Sequence, residues 1–205
     1  MNSAECLANT NNASKEVNIE CMLYPTTVSD SSELQEIIDL QKINLKQNIS
    51  ESEKNDQGFV TMVFTMDMLE AMHKLAPSVI VKNNDNKAVA YAIVFLKEGR
   101  KVYPGMEPMF LHFEKIEWRG KKFSEANYYI MGQICVAKQV RGMGVFDMLY
   151  QKHKEVYSSK YDCIVTEIAE SNQRSLRAHE RVGFKTISEH SDRIDDWKVV
   201  AWDWT

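Results

Sequence analysis

Two glycines one residue apart, Gly142 and Gly144, close the segment Gln139-Val140-Arg141-Gly142-Met143-Gly144, between a strand-like run and a helix-like one. The first N–H groups of a helix have no partner inside it and lie at the positive end of its dipole. Glycine carries no side chain, so a phosphate can approach such N–H groups closely. Arg141 beside a diphosphate would add a charge-assisted hydrogen bond. These residue types and this spacing suit a pyrophosphate cradle. Two common cradles are excluded. The dinucleotide fingerprint needs a third small residue where this chain has Asp147, and no Gly-Lys-Ser/Thr follows to make a P-loop.

Such a cradle must be positioned by its flanking elements. Tyr128–Val136 is dense in aromatic, β-branched and apolar residues and reads as a buried strand. Beyond the turn, Phe146, Leu149, Tyr150 and His153 recur at the spacing of a helix face. Residues 161–168 read as another strand, and Asn172 then opens a second polar-to-helical stretch that ends at Gly183-Phe184.

The segment from Gln139 to Gly144, directly after a strand, resembles the acetyl-CoA motif of the GNAT superfamily of N-acetyltransferases. A second motif of that family is matched at Asn172, Ser175, Leu176, Gly183 and Phe184, with a departure at His179, where the family usually has tyrosine. The likeness covers roughly residues 128–187. It implies an α/β fold of the GNAT type, a central mixed sheet of about seven strands with helices on both faces. It also implies acetyl-CoA as co-substrate, lying in a gap where two strands splay apart. Carried over, Ile134, Cys135 and Val136 would offer backbone contacts to the pantetheine arm. Arg141, Gly142, Met143, Gly144 and Val145 would present N–H groups to the pyrophosphate, in the motif that Gln139 opens. Asn172 and Ser175 would complete the cofactor contacts, and His179 would stand where the departing thiolate is protonated.

The implied reaction is direct attack of an amine on the thioester. An amine of pKa ~10.4 is neutral at pH 7 at a cost of about 4.6 kcal/mol, whereas protonating a thiolate of pKa ~8.5 gains only about 2 kcal/mol. Deprotonating the amine is the larger task. The strand before the cradle has no carboxylate, and Gln133 can serve only by holding a water. Glu167 is the acidic candidate for a base. As an imidazolium donor, His179 would lose effect above a pKa near ~6.5; as a neutral N–H donor it would not. Two competing readings are a catalytically silent acyl-CoA-binding or regulatory module and a different nucleotide-binding domain. The acceptor, a small-molecule or a peptide amine, is left open.

The whole chain sets bounds. Its 205 residues read as one domain over 18–205, after a tail, 1–17, with the composition of disorder. At 44% apolar and 26% charged it resembles an ordinary globular protein, and its net charge of −4 argues against nucleic acid as a partner. The longest apolar run, 88–96, is too short for a bilayer, and the polar start is unlike a signal peptide. Four cysteines without a C-x-x-C pair suggest reduced thiols in a cytoplasmic protein, and five scattered histidines suggest no metal site.

In chain order, 19–24 reads as a strand stopped by Pro25. A helix capped by Asp30 or Ser31 runs to about Asn48, and a second, Met66–Leu75, is capped by Thr65. Met62, Met66, Met68 and Met72 make this stretch adaptable, and the resemblance places it beside the acceptor. A hairpin over 78–82 and 88–96 follows, then an insert, 97–127, which is long for the family. Its helix-spaced Met106, Met109, Phe110, Phe113 and Ile116 suit a helix packed on the core or on a second subunit, as in a homodimer. The alternative is a lid over the acceptor pocket. Two strands, Lys185–Ser191 and 198–205, close the chain.

Overall fold

The structure is a computed structural model that describes residues 22–50, 52–54, 59–193 and 195–205. The polar tail 1–17 lies outside these residues, as do Cys6 and Cys21. Strand β1 (Tyr24–Thr27) leads to helix α1 (Ser31–Asn44) and helix α2 (Met66–Leu75), then to strands β2 (Val79–Lys82) and β3 (Ala88–Phe95). The insert holds helix α3 (Glu107–Phe113) and a two-residue hairpin, β4 (Glu117–Trp118) with β5 (Lys121–Lys122). Strand β6 (Tyr128–Val136), helix α4 (Val145–Tyr157), strand β7 (Cys163–Ala169) and helix α5 (Gln173–Val182) follow, before strands β8 (Lys185–Ser191) and β9 (Asp196–Asp203).

One seven-stranded sheet runs in the order β1-β2-β3-β6-β7-β9-β8. Every neighbouring pair is antiparallel except β6 with β7. This is the mixed sheet the family resemblance implies, with α1, α2 and α3 on one face and α4 and α5 on the other. Strand β3 is buried on both faces: Tyr91, Ile93 and Phe95 pack toward α1, while Val89, Ala92 and Val94 pack toward α4. That explains its near-continuous apolar run.

Local signals decide the elements. Asp30 caps α1 by accepting from the N–H groups of Ser32 and Glu33, and Glu33 reaches back to Ser29 and Asp30 in a capping box worth ~1 kcal/mol. The helix ends at Asn44, short of Asn48, because Leu45 turns extended and Val60 takes over the backbone bonds at its end. The first strand differs from expectation as well. Pro25 lies inside β1 because β1 is an edge strand, where a missing N–H can face away from the ladder.

The insert packs on the core. Phe113 and Phe123 are fully buried, Met106, Met109, Phe110 and Ile116 nearly so, all in the cluster shared with α1 and β3. Phe113 and Phe123 pack against Tyr128 of β6, and Phe110 against Phe95. Lys97 closes its base by donating to the carbonyls of Ser124 and Ala126. Arg100 ties Glu107 and Glu114 together on its outside.

Candidate active site

Strands β6 and β7 pair only from Tyr128 to Ile130 with Cys163 to Val165. Beyond that they diverge, and the β7-side edge of residues 134–136 is left unladdered while their other edge pairs with β3. A cleft of about 540 Å³ opens there. Its walls include Ile134, Cys135 and Val136 of β6, the turn residues Arg141, Gly142 and Gly144, then Val145, and from the second motif Asn172 and Ser175.

The turn is built for backbone exposure. Gly142 and Gly144 have φ of 80° and 76°, a left-handed conformation that disfavours other residues. A Cβ on either would meet no atom within 4 Å, so the space above both is open. Gly144 is the N-cap of α4 without a side-chain cap bond, and the N–H groups of Gly142, Gly144 and Val145 have no partner among the described residues. An anion is the natural acceptor for such groups. Arg141 is braced from two sides, its Nε donating to the Val136 carbonyl at 3.0 Å and its guanidinium to Asn44 Oδ1 at 2.7 Å.

Two expected cofactor residues stand apart from the cleft wall. Gln139 is exposed, and the Met143 side chain points outward, 43% exposed, while its N–H donates to the Val140 carbonyl at 3.4 Å. Asn172 lines the cleft as the N-cap of α5, its side chain accepting from the Ser175 N–H. Sequence reasoning missed Asn44, Phe59, Val60, Phe146, Asp147, Ala178 and three arginines of α5 that also line the cleft. Arg174, Arg177 and Arg181 are spaced by one and two helix turns, a periodicity that a polar helix face carries without announcing a ligand.

His179 requires a correction. Asn172, being a cap outside the helix, does not share a direction with His179, which turns to the core at 1% exposure. Its Nδ1–H donates to the Ser175 carbonyl at 2.7 Å, so its Nε2 accepts from the Tyr150 hydroxyl at 2.6 Å. Phe146 and Phe184 pack edge-on against its ring. Burial holds its pKa down at about 4, so the ring is neutral at pH 7. In this arrangement the ring is turned away from the cleft and its one N–H is donated to Ser175, so it offers no proton to the cleft.

Glu167 lies on β7 two residues beyond the last pair with β6, is not among the residues lining the cleft, and has a side chain 14% exposed. Burial raises its carboxyl pKa, opposed by a hydrogen bond from His190. Gln133 is fully engaged, accepting from the Tyr91 hydroxyl at 2.6 Å and donating to the Met62 carbonyl at 2.8 Å. With Gln41, which bonds both backbone groups of Phe64, it fixes the segment before α2 across the sheet. The described cysteines, Cys135 and Cys163, are free and buried. Among the described residues, no helix is long and apolar enough to cross a membrane.

Known proteins were compared with this chain. The model of the acetyltransferase (GNAT) family matches residues 47–184. The chain is similar in fold to a GNAT-family acetyltransferase from Streptococcus agalactiae, with 13% identity, TM-score 0.60, and coverage of 88% of this chain and 95% of that one. It is also similar to a chain of the NatC complex bound to Gag peptide and CoA, at 12% identity and TM-score 0.58, covering 89% and 99%. The ribosomal-protein-S18-alanine N-acetyltransferase from Escherichia coli aligns at 10% identity and TM-score 0.58, covering 90% and 95%. No curated protein sequence matches.

Proposed function

The chain belongs to the acetyltransferase (GNAT) family, and from that membership we propose that it transfers an acetyl group from acetyl-CoA to a primary amine. The observation that carries this reading is the charge of the cleft. Four arginines and one aspartate line it, together with a turn of unpartnered N–H groups, in a chain of net charge −4. A polyanionic co-substrate suits that concentration of positive field.

The residues fit such a co-substrate along its length. The N–H groups of Gly142, Gly144 and Val145 would hold a diphosphate, and Arg141 would add charge from its braced position. The open edge of β6 at Ile134, Cys135 and Val136 offers backbone bonds to an extended arm with amide groups, as a sheet edge does to an added strand. Asn172 and Ser175 close the opposite wall. Binding there would bring the thioester into the gap and toward Glu167, on the acceptor side of the sheet. Amine attack then needs a base and a fixed approach, and the two glutamine clamps on the segment before α2 supply rigidity to that approach.

A catalytically silent acyl-CoA-binding module is the second reading, and the burial of His179 favours it. Thiol release from acetyl-CoA separates the two. With a panel of polyamines, amino-acid amides and short peptides, at least one amine is expected to raise release about tenfold or more above hydrolysis. Release that never exceeds the protein-free rate would contradict transfer and select the silent module.

A further inference from the structure

Glu167 does not stand alone on its face of the sheet. Its Oε1 lies 3.0 Å from His190 Nε2, which donates to it. The ring of His112, from helix α3 of the insert, stacks on His190 with centroids 4.1 Å apart and planes at 33°. His112 Nε2 in turn lies 3.0 Å from Ser188 Oγ. Polar side chains from β7, β8 and the insert thus converge on a face that is otherwise an apolar core. Trp197, opposite His190 in register, buries an indole N–H with no partner among the described residues. The paired groups are half-buried rather than sealed in the core, the Glu167 and His190 side chains being 14% and 23% exposed, and they satisfy one another there.

The location of the cluster gives it a use. Val165 is the last β7 residue paired with β6, and Glu167 follows on the same face, where the two strands have already parted. A β-bulge between Thr186 and Ser188 rotates β8 so that Ser188 and His190 share that face with Val199. Among the described residues, no group of three or more His, Cys, Asp and Glu side chains is placed to hold a metal ion.

We propose that His190 is a positioning residue that fixes the Glu167 carboxylate as the base for the acceptor amine, and that His112 of the insert holds the His190 ring in place. This rests on the acetyl-transfer reading. In the step, an N–H bond of the acceptor ammonium breaks and its proton passes to the Glu167 carboxylate. The freed nitrogen lone pair attacks the thioester carbonyl carbon, and the C–S bond breaks with its electron pair leaving on sulfur. The thiolate takes the second proton released by the acylated nitrogen, and Glu167 returns its own to solvent.

The titratable and charged groups around the carboxylate set its pH response. Burial and the Asp192 carboxylate disfavour the ionised form, and the His190 hydrogen bond favours it. His112 is held below its ordinary pKa by burial, then by His190 and Lys115. Removing the His190 donor therefore leaves Glu167 protonated to higher pH.

The test follows thiol release by the full chain from pH 5 to 9 with the best amine of the panel, together with the melting shift produced by CoA. Glu167→Gln is expected to lose about a hundredfold or more in kcat while keeping the CoA shift. His190→Leu is expected to lose about tenfold and to move the acid limb up by about one pH unit. His190→Gln, which keeps an N–H donor, should recover most of both, and His112→Leu should show a smaller displacement in the same direction. A His190→Leu variant with the wild-type limb and kcat would overturn the proposal, as would normal turnover by Glu167→Gln. If His190→Leu fails to fold and loses the CoA shift, Glu167→Gln and His190→Gln decide by the same criteria. A wild-type protein that binds CoA yet transfers to no amine would overturn the acetyl-transfer reading, and this proposal with it.

Discussion

Excision of the insert, residues 97–127, is expected to leave a chain that does not fold. The reason is its contribution to the core. Phe113 and Phe123 are fully buried, and Met106, Phe110 and Ile116 are at most 5% exposed, so the excision strips the covering from Phe95, Tyr128 and Ile130. Truncating one buried aromatic to alanine costs ~3–5 kcal/mol. A domain has only ~5–15 kcal/mol in total, so losing the whole set exceeds what it has. Phe113→Ala alone should lower the melting temperature by roughly 10 °C at the ~2–4 °C per kcal/mol of a protein this size. Circular dichroism and a thermal melt check both. A cooperative melt from the excised chain would show that the insert is an appendage.

The second large effect is acid instability driven by two buried histidines. His179 and His153 are at most 1% exposed, and burial holds their pKa values at about 4 and about 3. Both lie below the ordinary ~6.5, so the unfolded chain takes up protons that the folded chain refuses. Stability is therefore present above pH ~6.5 and is lost as pH falls from there toward 4. At about 1.4 kcal/mol per pKa unit, His179 alone accounts for roughly 3 kcal/mol by pH 4, and His153 adds a loss of similar size. Denaturant unfolding at pH 7, 6, 5 and 4 should show this decline. In His179→Phe the decline should be shallower. The variant should also lose ~1–3 kcal/mol at pH 7, because the Tyr150 hydroxyl and the Ser175 carbonyl lose their partner. Its turnover per folded molecule should match the wild type from pH 6 to 9. Wild-type stability combined with a tenfold fall in turnover would return His179 to the mechanism.

The glycine turn, its strand and its helix were legible because their signals are local. Positive φ at Gly142 and Gly144, a nine-residue apolar strand and a helical apolar repeat all lie within one stretch of chain. Asn172 and Ser175 were legible through a second short motif. The rest of the cleft was not, because it comes from separated elements. Asn44 reaches Arg141 from α1, and nothing in the sequence marks that contact. Arg174, Arg177 and Arg181 read as a solvated helix face until the fold turns them toward the cleft. The orientation of His179 was not legible, because a motif match gives a position along α5 while the packing of Phe146, Tyr150 and Phe184 around the ring is tertiary. The pairing of Glu167 with His190 depends on a bulge that shifts register between β8 and β9, and a one-residue shift exchanges the faces of a strand. The membership of the insert in the core was half legible. Its apolar spacing predicted a packed helix, while the surface that helix covers is fixed only by the tertiary fold.

The most direct measurement is the thermal shift of the full chain with CoA, compared with Gly144→Glu. At about 100 times its dissociation constant a ligand adds ~2.7 kcal/mol, or roughly 5–10 °C for a chain of this length. In Gly144→Glu the new Cβ meets no protein atom within 4 Å, so the side chain leaves the turn on its open side. There it covers the N–H groups and repels phosphate, at a backbone cost of ~1–2 kcal/mol for the left-handed conformation. The account predicts a clear upward shift for the wild type and none for a Gly144→Glu protein that still melts cooperatively. A wild type unmoved by millimolar CoA, or a variant that shifts as much as the wild type, would contradict it.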